Sequence, residues 1–228
     1  MPKPRPIPVY LEVGSNRVFA GAVDWPGWCR RGRDQLDALE SLVAYGRRYR
    51  QAMGSATHGL QLPTGMEGLT VVERLKGNAT TDFGAPGIAP SSDATPPNPV
   101  ELARLEALLK ASWSAFDRAA RAASSAVLSV GPRGGGRDLA AIVEHVLGAD
   151  VAYLSGLGGT YHAPPGKQAM RQMRLDFIKT LGARAAGAEV PQLSPRRKAP
   201  LWSPRYAIRR SAWHALDHAW EIEDRASP

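Results

Sequence analysis

The most informative stretch of this 228-residue chain lies near its C-terminus, where residues 211–225 read SAWHALDHAWEIEDR. Neither glycine nor proline interrupts residues 205–225, so this part of the sequence predicts a long helix. Within it, His214 and His218 are four residues apart, and a helix places both imidazoles on one face, one turn apart, where they can share a metal ion. The same spacing also fits two ordinary polar or core histidines.

A third histidine, His145, lies in the apolar stretch IVEHVL at residues 142–147. Its neighbours predict that it sits in the middle of a helix and borders the apolar interior. A lone histidine there would be a hydrogen-bonded core residue, but three imidazoles from two helices form a facial metal site with positions left for water or substrate. The sequence therefore predicts a divalent metal ion (Zn, Ni or Fe) bound by His145, His214 and His218.

Charged side chains near these histidines are candidates for supporting roles. Three carboxylates can orient an imidazole N–H group, although we expect at least two of them to be solvent-exposed: Glu144, Asp217 and Glu221. Three arginines can bind a substrate carboxylate, unless they are ordinary surface residues: Arg137, Arg209 and Arg210. The two remaining histidines, His58 and His162, fall in predicted loops and are left out of the site.

Three further helical segments precede the last one. Asn98 and Glu101 are spaced as a capping box, with proline between them at the first helical position, and Asp138 can cap the next helix. Apolar residues recur at helical spacing, and stretches rich in glycine or proline at 131–136 and 191–204 interrupt them. Four such segments predict a four-helix bundle, with helices at about 98–127, 138–154, 167–186 and 205–225.

The N-terminal third of the chain has the pattern of a small sheet with one helix. Residues 7–23 alternate in the manner of two paired strands around a turn, and the basic stretch after Trp28 is a candidate third strand. Asp34 can cap a helix that runs to about Met53, and residues 69–75 form another strand candidate. The order β-β-β-α-β predicts the α+β class.

A stretch rich in Gly, Pro, Thr and Ser separates the two patterns. This composition is typical of a linker. We therefore predict an α+β domain at residues 1–76, a linker at 77–97 and an all-α four-helix bundle at 98–228.

Composition and charge narrow the function classes. The 29 Lys and Arg residues exceed the 21 Asp and Glu residues by eight, but they are scattered along the chain, which argues against nucleic acid as a partner.

Cys29 is the single cysteine, so an intramolecular disulfide and a cysteine-ligated zinc cluster are excluded. The residue is either a redox-sensitive thiol or a small buried side chain. No apolar run approaches the ~20 residues that span a bilayer. We therefore expect no membrane partner and a cytoplasmic location.

The arrangement of His145 on the second helix and His214-x-x-x-His218 on the fourth resembles the DinB superfamily, which includes the YfiT-like metal-dependent hydrolases. The resemblance covers about residues 98–225. It implies a four-helix bundle of down-up-up-down topology, a divalent metal held by this triad, and a homodimer. Some members are transferases or isomerases that depend on mycothiol or bacillithiol. The arginine- and alanine-rich composition suits an actinobacterium, for which mycothiol would be the matching thiol.

The N-terminal part resembles the HicB-like antitoxin domain over residues 7–75. The resemblance rests on residues 18–28, VFAGAVDWPGW, followed by Gly32 and the helix from Asp34. It implies a strand, a Pro-Gly turn, another strand and a helix. No ribbon-helix-helix or helix-turn-helix module is recognisable beside it in the sequence, so the resemblance implies a structural or partner-binding role rather than DNA binding.

These observations support two hypotheses about function. In the first, the chain is a metal-dependent enzyme that acts on a small-molecule substrate, by transfer or isomerisation with a low-molecular-weight thiol such as mycothiol, or by hydrolysis. In the second, it is a non-catalytic, antitoxin-like regulatory protein whose N-terminal part contacts protein or nucleic acid. The presence of all three predicted metal ligands favours the first hypothesis.

Overall fold

The chain begins with a four-stranded sheet and continues as long helices. This order of strands and helices confirms the predicted α+β class. The computed structural model describes residues 5–130, 136–164, 168–189 and 200–226. Two stretches that were predicted to separate helices, the glycine-rich 131–136 and the proline-rich 191–204, lie largely outside these ranges.

Five elements form the N-terminal part, in the predicted order: β1 (Ile7–Val13), β2 (Val18–Ala22), β3 (Cys29–Gly32), α1 (Gln35–Met53) and β4 (Leu69–Lys76). The sheet is mixed and has the strand order β3-β2-β1-β4. Strand β4 pairs with β1 in parallel, while the other two pairings are antiparallel. The side chain of Asp34 caps α1 by accepting a hydrogen bond from the backbone of Asp37 at 2.9 Å, as the sequence predicted.

Both faces of β1 are buried. Successive side chains of a strand point to opposite faces. Val9 and Leu11 accordingly pack in one apolar cluster with Leu42 of α1, whereas Tyr10 and Glu12, which alternate with them, are buried on the other face. The sheet therefore needs a second layer in addition to α1.

Part of that second layer is the segment predicted as a linker. It contains the short helix α2 (Ala79–Phe83). The buried carboxylate of Glu12 accepts hydrogen bonds from the hydroxyl of Thr81 and from the backbone N–H groups of Gly87, at 2.8 Å, and Ile88, at 3.1 Å. These bonds satisfy a carboxylate that would otherwise be costly to bury, and they fasten the segment to β1.

Four long helices follow and share one apolar core: α3 (Pro99–Ala122), α4 (Leu139–Leu157), α5 (Ala169–Ala185) and α6 (Pro204–Ala226). The capping box of Asn98 and Glu101 and the N-cap of Asp138 form as predicted. The largest buried side chains of this core include Leu109, Trp113, Phe116, Leu154, Phe177 and Ile208.

Helix α3 is shorter than its apolar stripe predicted. The helix ends at Ala122 rather than near Val127, and Val127 is 96% exposed. Ser124 and Ser125 follow the helix end, and serine side chains compete for backbone hydrogen bonds and favour turns over helix interiors. One apolar residue at helical spacing was therefore not enough to extend the helix.

A buried ion pair joins the segment 77–97 to α6. Arg209 donates from Nε and Nη2 to the two carboxylate oxygens of Asp93, each at 2.7 Å, and from Nη1 and Nη2 to the carbonyls of Ala22 and Val23 at 3.0 and 2.9 Å. Arg209 is 6% exposed and Asp93 is 1% exposed. The segment thus contacts both the sheet and the helices, while the domain boundaries given above stay predictions.

The sheet and the long helices also share apolar packing. Leu108 of α3 and Leu216 and Trp220 of α6 belong to the same buried cluster as Val9 and Leu42. Helix α6 therefore lies between the helical core on one side and the N-terminal part on the other.

Helix α4 is long and apolar enough to cross a membrane, judged by length and composition, and about a third of its most apolar part is buried. This qualifies the expectation that no segment reaches that length. The helix contributes Ile142, Val146, Leu154 and Leu157 to the common core and also buries Asp150. Its packing is compatible with a soluble protein.

Replacing Asp93 by alanine should destabilise the fold strongly, because it leaves the guanidinium of Arg209 buried without its carboxylate. We expect a loss of about 3–5 kcal/mol in the free energy of unfolding, measured by urea denaturation. Asp224→Ala is the matched control, since Asp224 pairs with Arg48 at 2.7 Å on the surface, and should cost less than about 1 kcal/mol. Equal losses for the two variants would contradict a structural role for the buried pair.

Candidate metal centre

The three histidines predicted as ligands lie close together. His214 and His218 are one turn apart on α6, and their Nε2 atoms are 3.1 Å apart. The Nε2 atom of His145, on α4, is 3.3 Å from that of His214. One nitrogen from each ring lies within 4.8 Å of the other two. Two helices therefore direct three imidazoles toward one point.

The spacing of these nitrogens suits a metal ion. A divalent ion such as Zn²⁺ binds histidine nitrogen at about 2.0–2.1 Å, so two ligands at tetrahedral or octahedral angles lie about 2.9–3.4 Å apart. The distances from His214 to His145 and to His218 fall within this range. The three histidines are thus close enough to bind one ion.

Small residues on α6 allow α4 to approach it. Ala212, Ala215 and Ala219 are at most 1% exposed and belong to the common core. They alternate along the helix with His214 and His218, so the apolar stripe packs in the core while the histidines lie at its border.

The three histidines differ in exposure. His214 is 7% exposed and His218 is 8% exposed, whereas His145 is only half-buried. The site is therefore most open beside His145.

The surroundings keep two of the imidazoles neutral. Burial lowers the pKa of His214 well below its usual value, and the neighbouring His218 and His145 lower it further. The Nδ1 atom of His214 is also buried without a hydrogen-bond partner in the described ranges, which makes a doubly protonated ring unfavourable. Burial is also the main cause that lowers the pKa of His145. Neutral imidazoles present the lone pairs that a metal ion requires.

Glu221 orients the third ring. Its Oε2 lies 2.7 Å from Nδ1 of His218. An ionised carboxylate can only accept, so the proton of the ring is on Nδ1 and the lone pair of Nε2 faces the other two histidines. The hydrogen bond from His218 is also the main cause that lowers the pKa of Glu221. A carboxylate behind a histidine ligand fixes its tautomer and increases its basicity.

The other two carboxylates of the predicted set were expected to be solvent-exposed, which holds for Glu144 and only in part for Asp217. Glu144 is exposed. Asp217 accepts a hydrogen bond from Arg30 at 3.3 Å, and 43% of its side chain is exposed. Asp217 thus helps to hold β3 against α6 rather than supporting a metal ligand.

Two of the three arginines proposed to bind a substrate carboxylate are buried and hydrogen-bonded within the protein. For these two the prediction was wrong. Arg209 is paired with Asp93. Arg210 is 8% exposed and donates to the carbonyl of Pro86 and, at 3.2 Å, to the hydroxyl of Tyr153. Both side chains are buried because residues 206–216 of α6 are covered on all sides. Arg137 is exposed and, after burial and His218, is the next charge that lowers the pKa of His145.

A buried polar group near the site was missed at the sequence level. Asp150 of α4 is 1% exposed, and its Oδ1 accepts a hydrogen bond from Ser211 at 2.7 Å, while Trp113 donates to the same hydroxyl at 3.0 Å. The other carboxylate oxygen is buried without a partner in the described part of the chain. Burial raises the pKa of Asp150 to about 7. The sequence signal was its position on the apolar face of α4, one turn after Val146.

The remaining candidates lie away from the histidines. Cys29 is buried, and burial raises the pKa of its thiol to about 12, so the alternative of a small buried side chain is confirmed. His162 is exposed. It borders a cavity of about 290 Å³ lined by residues of the α4–α5 connection and of α5, among them Lys179 and Thr180. None of the three clustered histidines lines this cavity.

Comparisons with known proteins gave no match to a family model, to a curated protein or to a solved structure. The resemblances to the DinB superfamily and to the HicB-like domain are therefore supported only by the sequence features that suggested them.

Asp150→Asn should change the pH dependence of stability. In the folded chain the Asp150 carboxyl keeps its proton up to about pH 7, whereas in the unfolded chain it loses the proton near pH 4. Folding at intermediate pH takes up a proton, so the stability that this group contributes is complete below about pH 4 and is lost as the pH rises to about 7.

We therefore compare the free energy of unfolding of Asp150→Asn with that of the wild type. The difference, variant minus wild type, should rise by roughly 1–4 kcal/mol between pH 4 and 7 and stay constant above pH 7. Urea denaturation at a series of pH values measures this difference. Asp224→Asn, at an exposed site, is the control and should show no such rise. A difference that is independent of pH would show that Asp150 ionises normally in the folded chain.

Proposed function

We propose that this chain is a metal-dependent enzyme whose divalent ion is bound by His145, His214 and His218. The observation that carries the proposal is the convergence of three Nε2 atoms, with separations of 3.1 and 3.3 Å, from two helices. A bound ion of this kind supplies Lewis acidity, which lowers the pKa of a coordinated thiol or water and makes a nucleophile at neutral pH.

Three protein ligands fit a catalytic ion better than a structural one. Structural zinc sites are closed by four protein ligands, and catalytic sites keep a position open for water or substrate. His145, His214 and His218 form the only group of His, Cys, Asp or Glu found among the described residues that could hold an ion in this way. Glu221 supports one of these ligands and uses its two oxygens for other partners, so it does not fill the open position.

The substrate is proposed to approach beside His145, which is the most exposed of the three ligands. Arg137 is exposed, and its charge is among the causes that lower the pKa of His145, after burial and His218. Its guanidinium is the remaining candidate for binding an anionic group of the substrate, because Arg209 and Arg210 are engaged in the fold. A substrate that carries a carboxylate suits a site with a divalent ion and a nearby arginine.

The reaction class follows from the DinB-like resemblance rather than from the geometry. We propose transfer or isomerisation with a low-molecular-weight thiol such as mycothiol, in preference to hydrolysis. An abundant cellular thiol and a homodimer are part of the same proposal, as is a cytoplasmic location. Neutral imidazoles suit this chemistry, since they leave the charge of the ion available to stabilise a bound thiolate.

Metal content tests the first step of this proposal. Protein produced without a histidine tag should contain close to one divalent ion per chain by mass spectrometry of the elements. The variant with His145, His214 and His218 all replaced by alanine should contain almost none, because no ligand remains. His162→Ala is the matched control and should keep the ion, since His162 lies away from the three rings. Equal metal content in the triple variant and in the wild type would refute the site.

Coordination of a thiol tests the reaction class. Protein loaded with Co²⁺ should develop a sulfur-to-cobalt charge-transfer band when mycothiol or cysteine is added, because the thiolate takes an open position on the ion. S-methylcysteine has no ionisable thiol and is the control ligand. Absence of the band with every thiol, in protein that retains Co²⁺, would exclude thiol coordination and leave hydrolysis by bound water as the reaction to test.

A further inference from the structure

We propose that Arg225 is a positioning residue of the metal centre and acts on His218 through Glu221. Among the contacts of the described residues, none joins Arg225 to any of the three histidines. The sequence alone did not identify Arg225 as part of the site. The inference rests on the proposed metal site. It concerns how firmly one ligand of that site is held.

Glu221 connects the two residues. Its Oε2 lies 2.7 Å from Nδ1 of His218, and its Oε1 accepts a hydrogen bond from Nη1 of Arg225, also at 2.7 Å. The three residues follow one another at spacings of three and four along α6, so they share one face of the helix. Because each carboxylate oxygen has its own partner, the position of the arginine sets the orientation in which the carboxylate meets the imidazole.

Arg225 is itself held rigidly. It is 7% exposed, and its Nε and Nη2 donate to the carbonyls of Ser129 and Arg137 at 2.8 Å each. The backbone N–H and the hydroxyl of Ser129 donate in turn to the carbonyl of Arg225 at 2.9 and 3.0 Å. The guanidinium therefore uses all three of its nitrogen atoms for three fixed acceptors, which a lysine could not reproduce.

Gly136 leaves the space that the guanidinium occupies. A Cβ atom at this position would lie 2.5 Å from Nη2 and 2.8 Å from Cζ of Arg225, closer than any real contact of this kind. The clash falls on the end of the arginine side chain, so a methyl group at this position strains the hydrogen bonds that hold the guanidinium. Gly136→Ala therefore disturbs the guanidinium of Arg225 while Arg225, Glu221 and His218 all keep their identities.

The consequence of displacing Arg225 is a loosened ligand. Without its second partner the carboxylate of Glu221 can rotate away from Nδ1, and the ring of His218 is then free to change tautomer or direction. Loss of a residue that supports a metal ligand reduces metal affinity by about 10–100-fold. We expect an effect in this range for Arg225→Met and for Gly136→Ala.

The test compares metal affinity and ligand geometry in matched variants. Zn²⁺ affinity is measured by competition with a chelator, and the visible spectrum of Co²⁺-loaded protein reports the geometry around the ion. Arg225→Met and Gly136→Ala should bind Zn²⁺ about 10–100-fold more weakly and change the Co²⁺ spectrum, while Arg225→Lys should recover part of the affinity. Arg48→Met is the control, since Arg48 pairs with Glu223 and Asp224 of the same helix, and should behave as the wild type.

Nitrogen NMR of the imidazole rings in metal-free protein gives a second readout. The wild type should show the proton of His218 on Nδ1, and Arg225→Met and Gly136→Ala should show a mixture of tautomers. Unchanged affinity and an unchanged tautomer in both variants would overturn the positioning role, as would equal losses in Arg48→Met. If the wild type binds no metal, the proposed function fails, and the tautomer of His218 still decides whether Arg225 positions the ring.

Discussion

The burial of α6 on nearly all of its sides is the constraint on which the rest of the structure depends. A helix that is covered in this way is normally apolar all round, but α6 carries arginines, histidines and acids along its length. Each buried polar group therefore needs a partner from another element or from its own helix. Asp93 supplies it for Arg209, Pro86 and Tyr153 for Arg210, and Glu221 for His218 and Arg225. The segment 77–97 has a defined path because it carries some of these partners.

The local features of the fold were predictable from the sequence. The caps at Asp34, Asn98 and Asp138 depend on residues within three positions of one another, so a pattern in the sequence identifies them. The spacing of His214 and His218 is local in the same sense, because it needs only a helix. His145 required one further step, that α4 and α6 be neighbours, and the expectation of a helical bundle supplied it.

The features that sequence reasoning missed depend on pairs of residues far apart in the chain. Arg209 and Arg210 look like surface arginines, and nothing nearby in sequence reveals that Asp93, 116 residues away, pairs with the first. The burial of Glu12 depends in the same way on Thr81 and Gly87. Arg225 was missed for a different reason: two of its acceptors are backbone carbonyls, which any residue provides and no side-chain pattern marks.

The contact between β2 and α6 has a consequence for the order of events during synthesis. The carbonyls of Ala22 and Val23 accept hydrogen bonds from Arg209, which lies 187 and 186 residues further along the chain. On the ribosome, the first strands leave the exit tunnel long before the helix that covers their second face. A contact of such long range closes late, since the loop entropy of the whole chain opposes it. The three histidines therefore come together only after the last helix has been translated, so an ion that needs all three ligands binds late in folding.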